Sequence, residues 1–74
     1  MSKLTIQQSL GSAIRRRRLL LGLSQEEFSE VAGMHRTQFA AIEQGRKDCR
    51  LSTIVRVSAA LQVEVSKLMS EAVG

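Results

Sequence analysis

Seventy-four residues make one domain, and at that size only about 60% of the unfolded surface can be buried, so a small core and help from a partner subunit are expected. Eleven Lys and Arg against seven Asp and Glu give a formal net charge of +4, a balance that suits polyanions, with nucleic acid and anionic membrane surfaces both open. A single cysteine excludes an internal disulfide, a single histidine excludes a metal-ligand set, and the longest apolar run, residues 19–21, excludes a membrane span; without a signal-peptide pattern, the cytoplasm is the expected setting.

The chain has no proline and two aromatic residues, and it is rich in Leu, Ala, Arg, Gln, Glu and Ser, a composition that predicts an all-α fold. Leu10, Ala13, Ile14 and Leu21 fall on one side of a helical wheel, which predicts a first helix starting at Leu10, containing the arginine run 15–18 and stopping at Gly22. Ser24 stands before Gln25, Glu26 and Glu27. Its hydroxyl can cap the third helical amide while Glu27 reaches back, a capping box in front of Phe28, Val31 and Ala32. A second helix of about two turns follows from that pattern. Gly33 supplies a left-handed turn, and a third helix runs from about 36 to 44 until Gly45 closes it. Residues 46–50 read as a polar loop. Ser52 is expected to cap a fourth helix whose inner face is Ile54, Val57, Ser58 and Leu61. Val65, Leu68 and Met69 belong to a short fifth helix entered through Ser66.

Two short helices joined by a glycine turn, packed behind a longer first helix, form a helix-turn-helix, in which the second of the pair enters the DNA major groove. On helix three, Phe39 and Ile42 define the buried side. Thr37, Ala41 and Gln44 point roughly the opposite way, and Arg36 flanks them in the first turn, so these positions could touch base edges. The helix start also offers free amides and a positive dipole to a phosphate.

These residues carry a resemblance. Residues 18–45, RLLLGLSQEEFSEVAG followed by MHRTQFAAIEQG, resemble the helix-turn-helix of the Cro and phage-repressor family, also called Xre. Within it, His35, Arg36 and Thr37 with the later Ile42, Glu43 and Gly45 are most similar to the controller proteins of restriction-modification systems. The likeness covers about residues 10–69. It implies a compact five-helix, lambda-repressor-like domain that works as a homodimer on double-stranded DNA, at a pseudo-palindromic operator, activating or repressing according to occupancy. No cofactor and no small-molecule ligand are expected.

Carried over by position, the resemblance makes Arg36 and Thr37 the base readers, with Ala41 beside them. The chemistry agrees, because a guanidinium forks onto O6 and N7 of guanine and a threonine sets a methyl against thymine. It makes Ser24 and Gln25 phosphate contacts at the start of helix two, and puts Gln44, Arg46 and Lys47 where the family holds the backbone; His35 and Gln38 complete the expected phosphate set. Controllers often carry tyrosine where this chain has Gln38, and Ser-Gly where it has Ala40 and Ala41. Fewer polar contacts then come from mid-helix, and DNA shape should matter more. Arg18 and Glu43 are implied as a structural salt bridge, although the wheel alone puts Arg17 closer to the apolar stripe.

Other features have plainer readings beside the functional ones. The four consecutive arginines could be a DNA-facing patch, a localisation-like cluster or a solvated helix face; they spread over about 300° of helix and cannot all face one partner, so a phosphate contact from at least one of them is the functional reading. His35 reads as a cap or phosphate neighbour before a metal ligand. Cys49 reads as a small loop residue, with a redox sensor as the alternative if Arg50 lowers its pKa. Val55, Val63, Val65, Leu68, Met69 and Val73 are more apolar side chains than one small bundle should cover, so a dimer interface through helices four and five is expected. A phage-type repressor or an antitoxin-like binder of a protein partner is the alternative function, though an antitoxin would usually need an extension beyond helix five. No nucleophile and base pair and no phosphate loop support an enzyme.

Overall fold

The computed structural model describes residues 4–73, which form α1 (Ile6–Leu20), α2 (Gln25–Ala32), α3 (Arg36–Glu43), α4 (Leu51–Leu61) and α5 (Val65–Val73). The all-α class and the order of five helices are as expected, but three of the helix starts differ. Helix α1 begins four residues before Leu10 because Thr5 and Gln8 form a capping box, with Gln8 N donating to Thr5 Oγ1 at 3.1 Å and Thr5 N to Gln8 Oε1 at 2.9 Å. The apolar stripe marks only where α1 becomes buried. Helix α4 takes Arg50 as its N-cap, with no side-chain capping bond. Ser52 lies inside the first turn, where its own backbone is already helical, so it cannot be the cap. Helix α5 closes its first turn on Glu64, whose carbonyl accepts from Leu68 N at 3.0 Å, and Ser66 is likewise internal.

The capping box of α2 forms as read, with Glu27 N donating to Ser24 Oγ at 3.0 Å and Ser24 N donating to the Glu27 carboxylate at 2.9 Å. The Ser24 backbone N–H foremost, and then the Ser24 hydroxyl, hold the Glu27 carboxyl below the usual range, because hydrogen bonds to a carboxylate favour its charged form. Gly33 ends α2 at φ 70°, and Met34 N donates back to Ser29 O at 2.9 Å. This fixes the sharp angle between α2 and α3. Across that turn the rings of Phe28 and Phe39, both fully buried, lie 4.7 Å apart at a tilt of 39°, an arrangement aromatic pairs favour. Leu10, Ala13 and Ile14 from α1, Val57 and Leu61 from α4, and Leu68 and Ala72 from α5 complete the core.

Helix α1 packs on α5 and on the end of α3. The approach to α3 is a backbone contact. A Cβ on Gly11 would lie 2.3 Å from Glu43 O and 2.6 Å from Ile42 O, and one on Gly45 would lie 2.6 Å from Gln8 Cα. On the α5 side, Arg17 pairs with Glu71, Nε donating to Oε1 at 3.1 Å. That hydrogen bond is the main reason the Glu71 carboxyl is lowered and the Arg17 guanidinium raised from their ordinary values.

The expected dimer surface needs one correction. Leu68 is fully buried in the core, because α5 turns Leu68 and Ala72 inward as its buried face. Val63, Val65 and Met69 are half-buried, while Val55 and Val73 are exposed.

Ser58 is 2% exposed, and its Oγ has no hydrogen-bond partner among the described residues. A buried unsatisfied hydroxyl costs about 1–3 kcal/mol, and alanine is the better helix former. Ser58→Ala is therefore expected to raise the unfolding free energy by about 1 kcal/mol, measured by urea denaturation. A loss of stability would show that the hydroxyl is hydrogen-bonded after all.

Candidate nucleic-acid interface

Helix α3 divides sharply along its length. His35, Arg36, Thr37 and Gln38 are exposed, whereas Phe39, Ala41, Ile42 and Glu43 are buried. The buried arc follows from Phe39 and Ile42 entering the core and from α1 closing over the far end, so only the first turn is presented to a partner. His35 is the N-cap by backbone alone and makes no side-chain capping bond. The α3 amides that it leaves unclaimed and the adjacent Arg36 guanidinium both attract anions. Ala41, expected among the base contacts, is only 8% exposed. Its methyl is buried and presents almost no surface to a partner, so the expected base contact from Ala41 does not hold.

Behind this turn lies a buried polar cluster. Arg18, 6% exposed, donates from Nε to Glu43 Oε2 at 2.6 Å and from Nη2 to Oε1 at 3.1 Å, and from Nη1 to Leu23 O at 2.8 Å. One side chain of α1 thus holds the end of α3 and the turn into α2. Arg17 does not compete for Glu43, since it lies on the edge of the stripe that faces α5. Gln25, at the first position of α2, donates from Nε2 to Glu43 Oε1 at 2.9 Å.

The expected phosphate residues fall into separate groups. Gln25 and Gln44 line one notch of about 560 Å³, which Arg15 also enters. Gln38 and Lys47 line a second groove of about 530 Å³ against the start of α4, where Arg50, Ser52 and Thr53 join them. Arg46 and Lys47 also border a cleft against Thr5 and Gln7 at the start of α1. Ser24 is exposed, and its hydroxyl accepts from Glu27 N. The α4 start was not singled out in the sequence, and Arg15 was covered only by the expectation that some arginine of the run 15–18 meets a phosphate. The signal was there in part: two hydroxyl residues, Ser52 and Thr53, directly follow a basic loop.

Cys49 is half-buried. Burial first, and then Asp48, push its thiol pKa up. Both work against the thiolate that a redox sensor needs.

Residues 14–68 match the helix-turn-helix family HTH_3. The control protein C.SmaI of Serratia marcescens is 34% identical over 65 residues, which cover 88% of this chain and 77% of that protein. Among solved structures, the restriction-modification controller protein C.AhdI from Aeromonas hydrophila superposes with a TM-score of 0.81 at 29% identity, covering 84% of this chain and 94% of that one. The clp gene regulator ClgR from C. glutamicum gives 0.93 at 26% identity, covering 99% and 94%.

Proposed function

The chain belongs to the HTH_3 helix-turn-helix family of DNA-binding transcriptional regulators, and from that premise we propose that it is the controller of a restriction-modification system, acting as a homodimer on a pseudo-palindromic operator. The observation that carries this reading is the exposed first turn of α3, where Arg36 and Thr37 project from a rigidly held helix end. Similarity to C.SmaI and C.AhdI supports the controller role. For the dimer, Leu51 and Val55 on α4 are 71% and 50% exposed, and such side chains gain cover when a two-fold axis pairs them with a second copy. Each α3 would then enter one of two successive major grooves, with half-site centres about 34 Å apart.

The test separates readers from holders on an operator selected from random duplexes. Arg36→Ala is expected to weaken binding to that operator by about 1–3 kcal/mol and to relax preference at one base pair. Lys47→Ala should weaken operator and scrambled duplex alike and lower the salt dependence by roughly one counterion per subunit, because phosphates carry no sequence information. Titrations of both variants on both duplexes at two salt concentrations decide the matter. If Arg36→Ala lost affinity equally for the two duplexes, Arg36 would be a phosphate clamp and the reading of α3 would be wrong.

A further inference from the structure

Gln25 and Glu43 meet at the wall of the notch that Arg15 and Gln44 also line. A carboxylate only accepts hydrogen bonds, so the Gln25 amide must turn its nitrogen toward Glu43 and cannot flip without losing the bond. The anchor itself is fixed: the Glu43 side chain is 2% exposed, and both its oxygens are held by Arg18 at 2.6 and 3.1 Å. Gln25, by contrast, is only partly buried, and a glutamine in that setting would otherwise sample several rotamers and pay to stop doing so on binding.

We infer that Glu43, beyond its pairing with Arg18, is a positioning residue for DNA-backbone binding: it holds the Gln25 amide in one orientation, with the second N–H of Nε2 left to donate to a phosphodiester oxygen. The inference rests on the phosphate role proposed for Gln25. A carboxylate beside a phosphate would ordinarily repel it. Here the Arg18 guanidinium neutralises that carboxylate through two hydrogen bonds, and the exposed Arg15 adds positive charge to the notch. The first turn of α2 contributes as well, since the Ser24 hydroxyl caps the Glu27 amide and the earlier amides of a helix have no partner within it. Side chain and first turn of α2 would then serve the same phosphate.

Two measurements test this. In the parent protein, nitrogen-15 relaxation of the side-chain amides should show Gln25 Nε2 as ordered as the backbone, with the exposed Gln38 and Gln44 amides mobile. Equal mobility of all three would overturn the inference, and this readout needs no variant to fold. In binding to a scrambled duplex, Gln25→Ala should lose about fivefold, Glu43→Gln about threefold, and the double variant no more than Gln25→Ala alone, in the range of one hydrogen bond. Losses that multiply in the double variant would reduce Glu43 to a purely structural part while leaving Gln25 as a phosphate contact. Gln25→Ala binding as tightly as the parent would remove the phosphate role and the positioning with it.

Discussion

Replacing Glu43 by alanine is expected to lower the unfolding free energy by about 3 kcal/mol, the cost of leaving one half of a buried ion pair without its partner. Arg18 is 6% exposed and gives two of its three hydrogen bonds to Glu43. With the carboxylate gone, only Leu23 O remains as an acceptor for the guanidinium, and Gln25 loses its anchor as well. For a domain of this length, stability of about 4–11 kcal/mol is typical, so the loss is a large fraction of the whole. A melting temperature lower by more than about 10 °C should result. Removing both charges is a different matter. Arg18→Met combined with Glu43→Leu should recover much of the loss, since apolar residues of similar volume replace buried ion pairs at little cost. Thermal melts of the three proteins check this, and a Glu43→Ala melt superposed on the parent's would mean that solvent reaches the pair.

Gly11→Ala should destabilise by about 2 kcal/mol, although alanine is the better helix former by about 1 kcal/mol. In a solvent-exposed helix the substitution would help. Here the new methyl would stand 2.3 Å from Glu43 O and 2.6 Å from Ile42 O. Neither oxygen belongs to a side chain that can swing away, so α1 must lift from the end of α3, and overpacking outweighs propensity. Ser12→Ala, at an exposed neighbouring position, serves as the contrast and should stay within about 0.5 kcal/mol of the parent. Urea denaturation of both variants reads the difference. A gain in stability at Gly11 would show that the two helices are not in backbone contact.

What the sequence revealed was what neighbours along the chain decide. The Ser24 box and the Gly33 turn depend on residues three or four positions apart, and both stand where they were read. The spacing of Phe39 and Ile42 was enough to place the buried side of α3 and so to expose its first turn. Where distant segments decide, local pattern failed. Arg17 lies near the apolar stripe, as the wheel says, but its partner is Glu71, 54 positions away. Burial of Arg18 depends on α3 ending at a carboxylate, which only the family resemblance supplied. Ala41 looked outward because a wheel drawn from Phe39 and Ile42 knows nothing of the neighbours that leave it 8% exposed. The start of α4 was misplaced because a capping rule was applied to a helix whose N-cap, Arg50, does no side-chain capping. The demand for glycine at positions 11 and 45 is likewise invisible without knowing what lies opposite.

The division of labour along α3 bears on how such a protein can change. Residues 35–38 are all exposed, and the helix is held from its other end, by Phe39, Ile42 and Glu43 and by main-chain contact with Gly11. None of the four presented side chains takes part in that grip. Selection can therefore rewrite them one at a time while stability and docking angle stay constant. A chain built this way can follow a drifting binding site, or acquire a new one, without passing through an unfolded ancestor.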